Sequence, residues 1–231
     1  MKITFISDTH GKHNQVTSSL PGGDLLIHAG DISSMGYKHE IQEFCKWFNS
    51  LDNYTVKVFI AGNHDFGFQK EPEMTKEIVG SYKWIDYLQD NFLGYGVDTE
   101  NYVKIYGSPW QPEFHSWAFN LPKGGLELEQ AWEEIPEDTD ILVTHGPAFG
   151  YLDTIMGQHD NLGCELLTKR IKTIKPKIHV CGHIHSGRNI VFDDGTLFIN
   201  ASVLDEQYQY TQKPITIDFD FKTGEWEVIQ F

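Results

Sequence analysis

The sequence predicts an α/β fold that contains some antiparallel strands. In the first half of the chain, short apolar runs alternate with helical segments, which is typical of parallel strands joined by helices. In the second half, apolar runs follow each other across short turns such as Asp193-Asp194-Gly195, which indicates hairpins. Five of the apolar runs end in Asp, Asn or His. Because ligands bind beyond the carboxyl ends of strands in such sheets, these residues are expected to meet at one site.

The elements follow from the spacing of the apolar residues. Predicted strands cover residues 2–7, 24–29, 56–61, 103–107, 140–144, 178–181, 189–192, 196–201, 214–220 and 225–230. Predicted helices cover residues 39–51, 72–82, 126–135 and 164–174. The segment 83–120 is mixed and rich in aromatic residues. With 231 residues and no linker, one domain spanning residues 1–231 is expected.

The composition excludes several classes of partner. The formal net charge is −15, from 18 basic and 33 acidic residues, and such a chain is not expected to bind long nucleic acid. A small phosphate ester is still compatible, because divalent cations would reverse the local charge. No apolar run approaches the roughly 20 residues of a membrane span, so no membrane is expected. The acidic surface fits a monomer or an oligomer equally well.

The sequence also predicts a cytoplasmic protein. Met1 leads directly into the first strand, so no cleavable signal is expected there. The three cysteines, Cys45, Cys164 and Cys181, are few and odd in number, which favours a reducing compartment over a disulfide framework. Each is predicted to be a small core residue.

The polar residues at the strand ends are typical metal ligands. They include two imidazoles at His183 and His185, which an extended segment would point in the same direction. Oxygen and imidazole donors without thiolate suit manganese, iron, zinc or cobalt. The predicted ligands are Asp8, His10, Asp31, Asn63, His145, His183 and His185.

Seven ligands exceed what one ion needs if Asp31 bridges two ions. Two divalent ions, with manganese favoured, are the usual arrangement for in-line attack of a metal-bound hydroxide at phosphorus. Because Asn63 points toward the ions, His64 is left free to protonate the leaving oxygen or to stabilise the transition state.

Each motif alone also has a structural interpretation. Asp8-Thr9-His10 fits a turn, Asn63-His64-Asp65 fits a helix cap, and His145 fits a buried core histidine. Their shared position at strand ends favours the two-ion interpretation for the set.

The order of the motifs resembles the calcineurin-like metallophosphoesterase superfamily. The matching blocks are Asp8-x-His10, Gly30-Asp31, Gly62-Asn63-His64-Asp65, His145-Gly146 and Gly182-His183-x-His185. This resemblance implies a four-layer sandwich, in which two mixed β-sheets pack together and helices flank them. It also implies one ion held by Asp8, His10, Asp31 and His185, a second held by Asp31, Asn63, His145 and His183, and a catalytic role for His64.

The segments Ile6–Gly11, Gly107–Pro112 and Thr144–Pro147 resemble the small metallophosphoesterase-domain-containing branch. That branch is associated with hydrolysis of phosphodiesters, including cyclic nucleotides. The protein phosphatases of the superfamily continue Gly-Asp with a second Asp and an Arg, whereas this chain continues Asp31 with Ile32-Ser33-Ser34. The segment after Asp31 therefore contains no acidic partner for His64. Asp65, the carboxylate next to His64 in the chain, is predicted to be catalytic together with His64.

Aromatic residues near the motifs are expected to contact the substrate. Trp110 and His115 lie on the loop after Pro109, together with Phe114 and Trp117. A second interpretation of this loop is that at least two of its aromatics fill the core. Tyr37 and Phe66 follow ligand motifs directly and are also predicted to line the cleft.

The sequence therefore predicts a two-metal phosphoesterase acting on small phosphodiesters, which could include a nucleotide. The alternatives are a phosphomonoesterase or nucleotide phosphatase, then a nuclease, and finally a binding module without catalytic activity on the same fold.

Overall fold

The computed structural model describes residues 1–96, 102–158 and 160–231. The strands, in chain order, are β1 (Lys2–Ile6), β2 (Gly23–Ala29), β3 (Tyr54–Ile60), β4 (Asp86–Tyr87), β5 (Asn91–Gly96), β6 (Tyr102–Ser108), β7 (Gln111–Pro112), β8 (Asn120–Leu121), β9 (Ile141–Thr144), β10 (Ile178–Cys181), β11 (Asn189–Asp193), β12 (Thr196–Asn200), β13 (Ile215–Phe219) and β14 (Trp226–Gln230). The α-helices are α1 (His13–Val16), α2 (Lys38–Ser50), α3 (Phe66–Lys70), α4 (Pro72–Gly80), α5 (Leu126–Glu133) and α6 (Glu165–Ile174).

Most of the strands form two mixed sheets. The first has the order β14-β13-β1-β2-β3-β4, and the second has the order β11-β12-β10-β9-β6-β5. The inner strands β1, β2 and β3 are parallel, as are β6, β9, β10 and β12. The antiparallel strands β13, β14, β11 and β5 lie toward the outside of the sheets. The α/β class with some antiparallel strands is therefore confirmed.

The two sheets pack face to face through alternate residues of their strands. In β2, Leu25 and Ile27 enter the layer between the sheets, whereas Leu26 packs on the helical side. In β9, Ile141 and Val143 enter the same central layer. This alternation follows from the two-residue period of a strand, and both faces are apolar because both are covered.

Helices cover the outer face of each sheet. Phe44 and Phe48 of α2 pack over Phe59 of β3 in the first sheet. Trp132 of α5 and Leu167 of α6 share a buried cluster that covers the second sheet. The layers are therefore helix, sheet, sheet and helix, which confirms the four-layer sandwich that the resemblance implied.

The regular elements were predictable within a few residues, but the aromatic-rich segment was not. Within 83–120 the structure forms β4, β5 and the small parallel pair β7–β8, which the sequence did not predict. Residues 97–101 of that segment lie outside the described residues. The described part of the chain contains no helix that is long and apolar enough to cross a membrane. Cys45, Cys164 and Cys181 are buried and unpaired, as predicted.

Candidate metal centre

The predicted metal ligands come from loops that follow five parallel strands. Asp8, Asp31 and Asn63 follow β1, β2 and β3 of the first sheet. His145 follows β9, and His183 follows β10, both in the second sheet. Since the two sheets pack face to face, the carboxyl ends of these strands meet at one end of the sandwich.

The first group of donor atoms consists of Asp8, His10 and His185. The Nε2 atoms of His10 and His185 lie 3.4 Å apart, and His185 Nε2 lies 3.5 Å from Asp8 Oδ1. The carboxylate of Asp8 is fully buried, and Ser202 Oγ donates to its Oδ2 at 2.7 Å. The free donor atoms of this group lie within 4.8 Å of one another.

The second group is centred on Asp31 and Asn63. His145 Nε2 lies 3.3 Å from Asp31 Oδ2 and 3.0 Å from Asn63 Oδ1. His183 Nδ1 reaches the same amide oxygen at 2.7 Å. Asp31 also faces the first group, because its Oδ2 lies 3.6 Å from His10 Nε2. Asp31 is thus positioned between the two groups.

The two histidines of Gly182-His183-Ile184-His185 do not point the same way. His183 has a φ of 68°, and a short 3₁₀ turn begins at His185, so the segment is not extended. His183 reaches Asn63, whereas His185 faces Asp8 and His10. The prediction of parallel imidazoles was therefore wrong, because strand alternation ends with β10 at Cys181. Each histidine belongs to a different donor group.

Several donors lie on strained backbone. Positive φ values, which are unusual for residues other than glycine, occur at Asp8 (56°), His10 (42°) and Asp31 (56°). His183 has the same kind of backbone conformation. Such strain persists only where the surrounding structure enforces it, and it clusters at functional sites. Gly182 has a related role, since a Cβ there would collide with the Asp8 carboxylate and the Ser7 hydroxyl.

The buried imidazoles differ in charge. Burial lowers the pKa of His10 and of His183 to about 4, so both are neutral near pH 7, the form that binds metals. Burial also opposes the charge on His145 and His185. There, however, the carboxylates of Asp31 and Asp8 outweigh it and raise each pKa to about 9. An ion bound at these positions therefore displaces protons, which makes its affinity depend on pH.

The donor groups fit divalent metal ions. The buried carboxylates of Asp8 and Asp31 lie beside imidazole nitrogens, and a buried carboxylate needs a compensating positive charge, which a protonated imidazole or a metal ion can supply. Oxygen and imidazole donors without thiolate match manganese, iron, zinc and cobalt. Asp31, between the groups, offers one carboxylate to both.

His64 lies at the mouth of this cluster. Its Nε2 is 4.0 Å from Asp31 Oδ2, and its Nδ1 is 2.9 Å from the carbonyl oxygen of Ser34. The ring stacks on Trp117 with centroids 4.1 Å apart and meets the edge of His10 at 4.5 Å. The Ser34 carbonyl therefore orients the imidazole, a contact that sequence analysis could not identify because any residue type supplies a carbonyl.

Asp65 does not orient His64. Its carboxylate is fully buried and accepts hydrogen bonds from the backbone nitrogens of Ile32, Ser33 and Gly62 and from the Ser33 hydroxyl. Burial and the nearby Asp31 charge raise its pKa to about 7, despite those donors. The geometry does not support the predicted catalytic role, because every donor comes from the loops after β2 and β3. Asp65 holds these two loops together.

A cleft of about 450 Å³ opens over the donor groups. None of the four predicted substrate contacts lines it. Trp110 packs on Phe119 and donates its indole N–H to Asp90, and Tyr37 sits at the start of α2 beside His39.

The other two predicted contacts lie next to residues that line the cleft without lining it themselves. His115 is exposed and packs on Phe114, and the half-buried Phe66 packs on Trp117. Phe114 and Trp117 of the same loop do line the cleft. Of the four aromatics expected on this loop, Trp110 and His115 are the two that do not line the cleft.

Two residues after β12, Tyr208 and Ser202, contribute to the site although the sequence did not predict them. Tyr208, with a φ of 58°, places its ring 4.8 Å from His10 and 5.3 Å from His185 and lines the cleft. Ser202 donates to Asp8, as described above. The apolar run Leu197-Phe198-Ile199 ends in Asn200, so the rule that found the other motifs would have selected this strand end, and Ser202 lies two positions beyond it.

Comparison with known proteins identifies the family. The family model for calcineurin-like phosphoesterases matches residues 1–187, most of the chain and all of the donor residues. This chain belongs to the calcineurin-like phosphoesterase family. Membership and the donor groups together indicate a metal-dependent phosphoesterase that acts on phosphoric esters.

Relatives with curated descriptions support the same branch of the family. The phosphoesterase is 40% identical to human metallophosphoesterase domain-containing protein 1 over 234 residues, covering 94% of this chain and 70% of that protein. It is 33% identical to UPF0046 protein T07D4.2 of Caenorhabditis elegans, covering 94% of this chain and 60% of that protein. The resemblance to the small metallophosphoesterase-domain-containing branch is thereby confirmed.

Solved structures share the fold of the phosphoesterase. The structure of TT1561 of Thermus thermophilus aligns with a TM-score of 0.65 at 14% identity, covering 99% of this chain and 98% of that one. A 5'-nucleotidase precursor from the same organism aligns with a TM-score of 0.52 at 13% identity, covering 100% of this chain and 54% of that one. At these identities the likeness concerns the fold alone.

Proposed function

We propose that this phosphoesterase hydrolyses small phosphodiesters, with His64 as the acid that protonates the leaving oxygen. One observation carries the choice of diesters over monoesters. Among the described residues that line the cleft, the only lysine or arginine is the exposed Lys123. A monoester carries up to two negative charges and is bound better where cationic side chains add to the charge of the metal ions, whereas a diester carries one negative charge.

The two donor groups would hold the ions of the proposed enzyme. Asp8, His10 and His185 would hold one ion, and the second group would hold another, with Asp31 shared between them. Divalent ions bound there polarise phosphoryl oxygens and provide an activated water near neutral pH. Manganese as the preferred ion and a cytoplasmic location are predictions from the sequence that belong to the same proposal.

His64 is the side chain best arranged to serve the leaving group. Its Nδ1 is committed to the Ser34 carbonyl, so a protonated ring presents the Nε2 proton toward the cleft. Trp117 stacks on this ring, and Tyr208 lies 6.5 Å away across it. The leaving alcohol is therefore placed on the side of the cleft that Trp117 and Tyr208 form.

The proposal is tested by hydrolysis of bis-p-nitrophenyl phosphate beside p-nitrophenyl phosphate, with added manganese. The expected result is a higher kcat/KM for the diester, and a His64→Ala variant that is slowed more on a phenyl diester, whose leaving group needs a proton, than on the p-nitrophenyl diester. His39→Ala is the matched control, because His39 is an exposed histidine outside the cleft. Preference for the monoester would replace the proposal with a phosphomonoesterase. Metal binding without hydrolysis of either ester would favour a binding module.

A further inference from the structure

The cleft has two chemically different sides. Trp117 and Tyr208 border His64 and the donors His10 and His185. On the other side, Phe114 lies beside His183, with ring centroids 6.1 Å apart. If His64 protonates the leaving alcohol, the alcohol that stays on phosphorus points toward the second side, near Phe114 and His183.

That second side is an apolar wall. We define the apolar wall by five residues that line the cleft: Phe114, Pro147, Ile155, Leu162 and Ile184. Pro147 follows His145 by two positions, and Ile184 lies between the two histidines of the donor motif. Two residues of the wall are therefore close in the chain to donor residues, Pro147 to His145 and Ile184 to both His183 and His185.

Two residues of the apolar wall are held by the loop after β9. Asp153 is 1% exposed and accepts hydrogen bonds from the backbone nitrogens of Gly150 and Gly163. Its own carbonyl oxygen accepts from Leu162 N at 3.0 Å. Nearby, Met156 N donates to Ser186 Oγ, which ties the loop to the turn after β10. The position of Leu162 is therefore set by the buried Asp153, and that of Ile155 by the hydrogen bond of its neighbour Met156 to Ser186.

The apolar wall contains side chains that remain exposed although they face a concave site. Phe114 is 51% exposed and Leu162 is 42% exposed. Large apolar side chains gathered around a cleft of this size are typical of ligand sites, whereas single exposed ones on a convex surface are ordinary. A ligand that covers these side chains removes their apolar surface from water, and this burial favours binding.

Charge restricts what this ligand can be. The described lining residues include the carboxylates Glu113 and Glu206 and, as stated above, a single cation at Lys123. A retained group with its own phosphate would enter a cleft whose lining carries these carboxylates and only one exposed lysine. An uncharged group is not repelled by the carboxylates and needs no cation to neutralise it.

We propose that the apolar wall binds the retained alcohol of the substrate and selects an uncharged, apolar group there, such as an alkyl or aryl chain. This inference rests on the proposed diester hydrolysis. It adds a specificity: the substrate is a phosphodiester whose non-leaving arm is apolar, and Phe114, Ile155 and Leu162 determine that choice.

The test compares diesters that share one leaving group. Methyl, butyl and 4-hydroxybutyl p-nitrophenyl phosphate all release p-nitrophenolate and differ only in the retained arm. The butyl ester has three more methylenes than the methyl ester, and each one improves binding by up to about fourfold when fully buried. Because Phe114 and Leu162 leave the wall partly open to water, we expect kcat/KM to be roughly tenfold higher for the butyl ester. The 4-hydroxybutyl ester should lose this advantage, because its hydroxyl is buried without a partner.

A matched pair of variants assigns the effect to the wall. Leu162→Asn should reduce the butyl-to-methyl ratio of kcat/KM toward one. Leu126→Asn makes the same change at an exposed leucine that does not line the cleft, and it should keep the wild-type ratio. Equal ratios in the two variants would overturn the proposal, as would a wild-type ratio near one with efficient hydrolysis of the methyl ester.

Failure of diester hydrolysis itself would be recognised separately. In that case, calorimetric binding of butyl phosphate and methyl phosphate to the manganese-loaded protein replaces turnover as the readout. If butyl phosphate binds more tightly than methyl phosphate and Leu162→Asn removes this difference, the apolar wall still binds an apolar group. The enzyme would then act on a different class of substrate. Equal affinities for butyl phosphate and methyl phosphate would contradict the proposed role of the wall, whichever reaction the enzyme catalyses.

Discussion

The imidazole of His64 is oriented by a backbone carbonyl, that of Ser34, at 2.9 Å from its Nδ1. A carbonyl oxygen only accepts hydrogen bonds, so Nδ1 carries a proton and Nε2 faces Asp31 and the cleft. In many enzymes a carboxylate performs this orienting role. Here the contact comes from the loop after β2, the same loop that supplies Asp31. The loop thus positions both Asp31, the proposed shared metal ligand, and the proposed acid His64.

Replacement of His64 should slow reactions in proportion to how poor the leaving group is. His64→Ala is expected to lower kcat by roughly 10²–10⁴-fold for phenyl diesters, because general acid catalysis is lost. The loss should be smaller for p-nitrophenyl diesters, since p-nitrophenolate leaves without a proton. Steady-state rates of both substrates check this, with His39→Ala as control. Equal losses for both leaving groups would contradict the role as an acid.

Replacement of Asp65 should destabilise the fold rather than change the chemistry. Asp65→Asn weakens four buried hydrogen bonds, and we expect a decrease of about 3 kcal/mol in the free energy of unfolding. Thermal unfolding should shift down by roughly 6–12 °C.

Asp153→Asn is the matched comparison for Asp65→Asn, because Asp153 is also buried and also holds a loop through backbone nitrogens. Both variants should be less stable, and only Asp65→Asn should also bind manganese more weakly. Unchanged stability with a lower kcat in Asp65→Asn would restore the catalytic role that the sequence predicted.

Removal of the Ser202 hydroxyl should weaken metal binding. Ser202 Oγ donates to Asp8 Oδ2 at 2.7 Å, and groups that orient a metal ligand contribute roughly 10–100-fold to affinity. Equilibrium dialysis with manganese should show a loss of that size for Ser202→Ala. Ser108→Ala removes an equally buried hydroxyl that donates to a carboxylate elsewhere, that of Asp90, and should retain wild-type affinity. The same affinity in both variants would exclude this role of Ser202.

Removal of the Trp117 ring should lower the rate at which diesters are hydrolysed, because this ring packs on His64. The two rings stack at 4.1 Å, and such pairs contribute about 0.5–1.5 kcal/mol. Trp117→Ala should therefore lower kcat/KM for diesters by roughly 2- to 10-fold, and Trp117→Phe should restore most of it. Trp84→Ala replaces an exposed tryptophan far from the cleft lining and should have no effect. A Phe variant as slow as the Ala variant would contradict the stacking role.

The donor residues were predictable from the sequence because they follow strands. Asp31 and His145 come directly after apolar runs, and the rule that strand ends meet at one edge needs no three-dimensional information. Their grouping into two donor sets came only from the family resemblance. The wrong direction predicted for His183 and His185 shows why: the backbone turns sharply after β10, and local periodicity does not describe a left-handed residue.

Contacts made by irregular loops were not predictable in the same way. Trp110 and Trp117 lie seven residues apart on one loop, and nothing in their spacing tells which one packs inward. Trp117 faces the cleft because the loop is pinned there by the hydrogen bond from Ala118 N to the Asn63 carbonyl. Tyr208 was missed for a related reason, since its ring is brought to His10 by a long-range packing of loops that follow different sheets.

The stoichiometry of metal binding tests the central claim most directly. Wild-type protein dialysed against manganese should hold two ions per chain and hydrolyse diesters, whereas Asp31→Asn should hold fewer than one ion and be inactive. Asp24→Asn is the control, because Asp24 also accepts a backbone N–H but lies outside the donor groups. Two ions in Asp31→Asn, or full activity of the wild type with a single ion, would contradict a centre in which Asp31 is shared.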